Sequence, residues 1–114
     1  MSSKIIYKIV PQQMWQEAQK TGIFTGAPID IEDGYIHFST ADQVKATAAK
    51  HFAGQNDLLL VAVDAALLGH ELKYEVSRGG ALFPHLYANL DLQYVQSVVA
   101  LPLGEDGVHL FPEL

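Results

Sequence analysis

The chain has 114 residues, enough for one domain with a core of its own, and no linker, repeat or low-complexity stretch divides it. Hydrophobic residues make up 49% and charged residues 18%, the balance of a globular rather than a disordered chain. A formal charge of −6, with only seven Lys and Arg and no cluster among them, argues against DNA binding through the phosphate backbone, and the lack of cysteine excludes disulfides and thiolate chemistry.

The first residues, Met1 to Ile6, lack the apolar run of a signal peptide. The longest apolar runs, 58–63 and 98–103, fall far short of the roughly 20 residues that span a bilayer. The expectation is a cytoplasmic protein with no membrane partner.

Residues 4–10 are rich in β-branched side chains and predict a first strand, stopped by Pro11. Pro11 also suits the first turn of a helix, in which Met14, Trp15 and Ala18 recur at helical spacing and Gly22 marks the stop. Residues 23–33 read as a loop, with an acidic patch at Asp30, Glu32 and Asp33. After Gly34 comes a short strand, 35–39, running into a second helix capped by Ser39 or Thr40. Thr40 and Gln43 have the spacing of a capping box. Val44, Ala48, His51 and Phe52 share one face of that helix, and Gly54 ends it.

The run from Leu58 to Val63 is continuously apolar, as in a central strand covered on both faces. Asp64 to Gly69 predicts a single helical turn. Strands follow at 71–77 and 94–101, and the turn at Glu105-Asp106-Gly107 could fold 108–111 back as a hairpin. This order is no regular βαβ alternation. It predicts an α+β domain, a bent, mixed or antiparallel split sheet carrying two main helices.

Side chains on a strand alternate between faces, so Ile36 and Phe38 face one way while Tyr35, His37 and Ser39 face the other. With the apolar pair in the core, the polar trio lies beside a helix N-terminus and could cradle a phosphate or a polarised carbonyl. The plainer alternative is that His37 bonds a nearby loop and Ser39 caps the helix. A second candidate is Phe83-Pro84-His85-Leu86-Tyr87 after Arg78-Gly79-Gly80. Pro84 holds Phe83 extended, which predicts a shaped loop with His85 and Tyr87 on one face; loop packing is the alternative. In the strand at 71–77, Tyr74 would join Leu72 and Val76 on the core face, leaving Glu75 solvated beside Lys73 and Ser77. His51 reads as a core or rim residue, and His70 and His109 as surface residues. No histidine pair has helical metal-site spacing and the acidic loop lacks a calcium pattern, so no metal is expected. Ser39 lacks the glycines of a nucleophile elbow.

Taken together, Ile6-Tyr7-Lys8-Ile9, the Trp15 helix, the run from Asp33 to Thr40 with Gln43-Val44, Phe52-Ala53-Gly54 and Phe83 to Tyr87 resemble the uncharacterised bacterial domain-of-unknown-function family 952. The likeness covers nearly the whole chain, and its two histidine motifs are the most specific part. It implies a fold similar to the ADP-ribosyltransferases, with a cleft for nicotinamide dinucleotide (NAD, here a substrate rather than a bound cofactor), ADP-ribose or a related phosphorylated ligand. By that resemblance Lys8 takes the first-strand position that holds ribose or phosphate, where those enzymes carry His or Arg. His37, Ser39 and Thr40 resemble the second element of such a site, and Glu75 the late-strand acid that stabilises an oxocarbenium-like transition state. Catalytic roles would fall to Glu75 and His37, with Lys8, Tyr35, Ser39, Thr40, Phe83, His85 and Tyr87 binding substrate. A non-catalytic nucleotide- or metabolite-binding module, and an interaction protein with no ligand site, are the alternatives.

Overall fold

The computed structural model describes residues 4–114, and Arg78 by its backbone alone. The strand β1 (Ile5–Pro11) pairs antiparallel with β5 (Leu58–Asp64) along its whole length, from Ile5 opposite Asp64 to Pro11 opposite Leu58. The short β4 (Ser39–Thr40) flanks β1, and β9 (Val95–Ala100) flanks β5 across a bulge at Ala62/Val63. The large sheet therefore runs β4-β1-β5-β9. Its centre is buried on both faces, as the unbroken apolar run of β5 requires. One face carries Ile6, Val10, Val61 and Val63 into a core with Trp15 and Phe38. The other carries Tyr7, Ile9, Leu60 and Ala62 against Val44 and Ala48. Fully burying a side chain of this size contributes about 1.5–3 kcal/mol, so these two layers hold the domain together.

Helix α1 (Gln12–Thr21) follows Pro11 directly and buries Trp15 and Ala18. Gly22 ends it in the left-handed region (φ 80°), its N–H donating to Ala18 O, a conformation that disfavours any residue with a Cβ. The segment 23–33 is not the loop that its turn residues predict. It contains β2 (Ile23–Phe24), which pairs with β8 (Leu90–Asp91), and a helix α2 (Pro28–Asp33). Pro28 stands at the helix start, the Asp30 carboxylate accepts the Ala27 N–H at 2.7 Å, and Gly34 (φ 89°) closes the end. These are ordinary start and stop signals. The helix is too short for a hydrophobic period, and its one buried side chain is an acid. With α3 (Val44–His51) the described residues form three helices rather than two.

The predicted strand 35–39 is split. β3 (Ile36–His37) belongs to a small sheet of order β3-β7-β6, with β7 at Leu82–Leu86 and β6 at Leu72–Val76, whereas β4 belongs to the large one. Phe38, buried at the crossing point, donates its N–H to Pro84 O at 2.9 Å. The chain thus passes from one sheet to the other within three residues, where each sheet offers a different hydrogen-bonding partner. Helix α3 then begins at Val44 instead of being capped by Ser39 or Thr40. Gln43 Oε1 accepts the Thr40 N–H at 3.0 Å, as the capping-box spacing suggests, but Ser39 and Thr40 stay extended against Tyr7 and Ile6.

The stretch around Pro84, expected as a loop, is the central strand β7 (Leu82–Leu86) of the small sheet, between β3 and β6 (Leu72–Val76). Pro84 is tolerated there because it lies beyond the end of β3, on the side where its carbonyl meets Phe38. β6 is an edge strand, and the face expected to enter the core is uncovered: Tyr74 is 38% exposed and Val76 70%. On that face Leu72 packs against the core, while Tyr74 and Val76 lie exposed. At the C-terminus the expected hairpin reduces to an isolated bridge between Leu103 and His109. His109, expected at the surface, is buried and bonds Gln55 O through Nε2 at 2.8 Å. No helix among the described residues is long and apolar enough to cross a membrane.

Candidate functional site

The small sheet sets two histidines side by side. Ile36 pairs with Leu86 and His37 with His85, so the apolar pair turns inward and both imidazoles take the opposite face. Tyr35 and Tyr87, each two residues from a histidine, join that face. The Tyr35 ring stacks on His85 at 4.2 Å between centroids and contacts His37 at 4.6 Å and Tyr87 at 5.1 Å. The two imidazoles meet edge to face at 5.4 Å.

His37 is anchored from α2 and β1. Its Nδ1 lies 2.7 Å from Asp30 Oδ1, its backbone N–H donates to the same oxygen at 3.1 Å, and its Nε2 lies 3.0 Å from Asp33 Oδ2. Lys8 reaches the same acid, with Nζ 3.1 Å from Asp30 Oδ2, and donates to His37 O at 2.9 Å. Both Lys8 and Asp30 are buried. Burial pushes the Asp30 carboxyl up, but the His37 hydrogen bond, the Lys8 charge and two backbone N–H groups outweigh it and hold the carboxyl below its ordinary value. Burial lowers the Lys8 ammonium, with the Asp30 charge opposing. A buried pair left with one member costs about 3–5 kcal/mol, so this network is a structural joint between β1, α2 and β3.

His85 is anchored differently. Its ring is buried, and Nδ1 lies 2.8 Å from Glu75 Oε1, which also accepts the Tyr87 hydroxyl at 2.7 Å. Those two hydrogen bonds, that of Tyr87 first, hold Glu75 below the usual carboxylate range, and the same contact pushes the Tyr87 phenol up to about 12. Among the described residues, Nε2 of His85 has no hydrogen-bond partner. Nor is it sealed off: the one partnerless side-chain polar atom buried among those residues is Trp15 Nε1. Nε2 of His85 therefore meets solvent.

His85 lines a cleft of about 780 Å³ between the small sheet, β1 and α3, the size range of small-molecule sites. His37, His85, Ser39 and Lys8 line it, with Tyr7, Phe38, Phe52 and Phe83 as its aromatic wall and Lys50 and His51 from the end of α3. The Ser39 and Thr47 hydroxyls face each other in the wall at 2.9 Å. A shallower hollow of about 380 Å³ lies beyond Tyr35, along Ile31, Gly34 and Asn89.

The family model described as "Protein of unknown function (DUF952)" matches residues 9–98. The chain belongs to this family. Two crystal structures of protein CC0527 from Caulobacter crescentus, one of them a double mutant, are 47% and 46% identical to it. Each superimposes with a TM-score of 0.90 over 93% of both chains. The solution NMR structure of CC0527 is 48% identical, with a TM-score of 0.83 over 91% of this chain and 90% of that one. No curated protein matches. Neither the family description nor these relatives names an activity.

Within this DUF952 domain the candidate residues separate. His37, Ser39, Lys8, Phe83 and His85 share the cleft. Glu75 and Tyr87 stand behind His85, outside the lining, and Tyr35 covers the two histidines from the other hollow. Thr40 lies away from the cleft, its N–H held by Gln43. Lys8 lines the wall with its ammonium committed to Asp30 and His37 O. Among the described residues no cluster of three His, Asp or Glu has metal-site geometry. Sequence reasoning missed Asp30, which organises half of the site. Its signal was available: an acid at the third position after Ala27, behind a Pro at the helix start.

Proposed function

We propose that the cleft binds a phosphorylated nucleotide-class ligand. The observation that carries this reading is that His37 and His85, paired across adjacent strands, line one cleft together with four aromatic side chains and Lys50. Aromatic side chains suit the face of a base, and the Lys50 ammonium suits a phosphate. NAD and ADP-ribose, the ligands implied by the likeness to the ADP-ribosyltransferases, carry both features. ADP-ribosyl transfer itself is the second reading. It is favoured by Glu75, an acid on a late strand bonded to His85, but that enzyme chemistry asks for an acid against the ligand, and Glu75 is one residue removed. Binding is therefore the stronger reading.

Thermal-shift titrations with NAD and ADP-ribose test it. A saturable rise in melting temperature is expected with at least one of them, lost in His37→Ala and kept in His70→Ala, a change at an exposed turn outside the cleft. No rise with either nucleotide would overturn the binding reading. Release of nicotinamide from NAD, abolished in Glu75→Gln, would move the conclusion to the transfer reading.

A further inference from the structure

We infer that His85 is a general base and that the cleft hydrolyses a nucleoside phosphodiester, a member of the phosphorylated nucleotide class it is proposed to bind; this rests on the binding reading above. The geometry supplies each part a base needs. Its ring is 3% exposed and clamped between the stacked Tyr35 ring and the sheet, so it has little freedom to turn. Nδ1 faces Glu75 Oε1 at 2.8 Å, and an ionised carboxylate can only accept, so the ring proton sits on Nδ1. Nε2 is then the proton-free nitrogen of a ring that lines the cleft. Glu75 is itself held by the Tyr87 hydroxyl at 2.7 Å, which fixes the acid that orients the base. An acid, an oriented imidazole and an open Nε2 form the relay by which a histidine takes a proton from an attacking hydroxyl.

In the proposed step, a water in the cleft attacks the phosphorus of a bound nucleoside phosphodiester. The new P–O bond forms from the water oxygen as its proton passes to Nε2, leaving an imidazolium facing the Glu75 carboxylate. The P–O bond to the second ester group breaks with its electron pair on the leaving oxygen. That oxygen departs as an anion when it is a phenolate, or takes the proton back from Nε2 when it is an alkoxide. The products are a nucleoside monophosphate and an alcohol or phenol. The site requires no redox partner. Glu75 and Tyr87 act here as positioning residues, because neither lines the cleft.

The experiment uses the full chain and the p-nitrophenyl ester of thymidine 5′-monophosphate, followed by nitrophenolate release, with competition by ADP-ribose as the measure of binding. The expected result is turnover that falls about 10²–10⁴-fold in His85→Ala, with KM nearly unchanged and activity partly restored by added imidazole. Glu75→Gln is expected to lose less and to shift the pH profile. The charged and titratable groups facing His85 are Glu75 and Lys73 from β6, Tyr87 from its own strand, and Tyr35 and His37 beside it. The rise of rate with pH should vanish in His85→Ala and persist in His70→Ala. His85→Gln, with melting temperatures for every variant, separates a lost base from a lost fold. A probe that competes with ADP-ribose but is not hydrolysed overturns this inference and leaves the binding reading standing. A probe that neither binds nor is hydrolysed, with ADP-ribose also failing to bind, overturns both. Equal turnover in wild type and His85→Ala also overturns it.

Discussion

His37 and His85 sit opposite each other on neighbouring strands, and each turns Nδ1 to a carboxylate at nearly the same distance, 2.7 and 2.8 Å. They differ in what surrounds the acid and in what the second nitrogen does. Asp30 is buried, accepts from Lys8 and two backbone N–H groups, and leaves His37 closed by Asp33 on its other nitrogen. Glu75 is more open, accepts from one phenol, and leaves Nε2 of His85 unpaired. The same residue in the same strand geometry is a structural joint with both nitrogens paired in one place, and a buried ring with one unpaired nitrogen in the other. Burial of the acid, and the number of donors it must satisfy, decide which.

The largest effect on stability is expected from removing the buried acid. Asp30→Ala strands the Lys8 ammonium in the interior and should cost about 3–5 kcal/mol by urea denaturation. Lys8→Met should cost less, because Asp30 keeps its donors from Ala27 and His37. An equal or greater loss in Lys8→Met would show that the lysine, not the acid, organises the joint.

A pH dependence should follow from the same acid. Asp30 is held below its ordinary value, so in the acid range the unfolded chain binds more protons than the folded one, and stability rises with pH there. That contribution is complete above the usual carboxylate range of about 4 and is lost as the pH falls through the folded value. Denaturation midpoints measured across acid pH should show this limb in the wild type and a shallower one in Asp30→Asn.

The His85 side predicts a smaller, local change. Glu75→Gln should lower the Tyr87 phenol from about 12 toward the ordinary tyrosine value, since the Glu75 hydrogen bond is the first cause of its rise. A phenolate absorbance titration of wild type against variant checks this, and an unmoved late-titrating tyrosine would place the cause elsewhere. The smallest effect is expected at Val76, on the uncovered face of the same sheet. Val76→Thr should change stability by no more than about 0.5 kcal/mol, whereas a large loss would mean that something covers that face.

Much of the scaffold was readable residue by residue. The apolar run of β5, the alternation that sends Ile36 and Phe38 inward and His37 outward, and the Pro11 and Gly22 boundaries of α1 all appear in the fold. Each is set by a local period or a local backbone preference, which neighbouring residues are enough to express. The misreadings share a cause. The 23–33 segment hides a six-residue helix that buries an acid instead of an apolar stripe. Pro84 reads as a loop breaker unless the strand beside it is known to stop short. Tyr74 and Val76 alternate as core residues do, but whether a face is covered depends on what packs against it.

The amino-acid pattern alone therefore establishes an α+β domain and a polar strip at Tyr35 and His37. Tertiary structure decides that this strip meets His85, that Asp30 meets Lys8 across 22 residues of chain, and that Glu75 meets His85 and Tyr87. Periodicity carries information over a few residues. Pairing across sheets depends on which strands close together and which charges burial forces to find partners, and no local pattern records that choice.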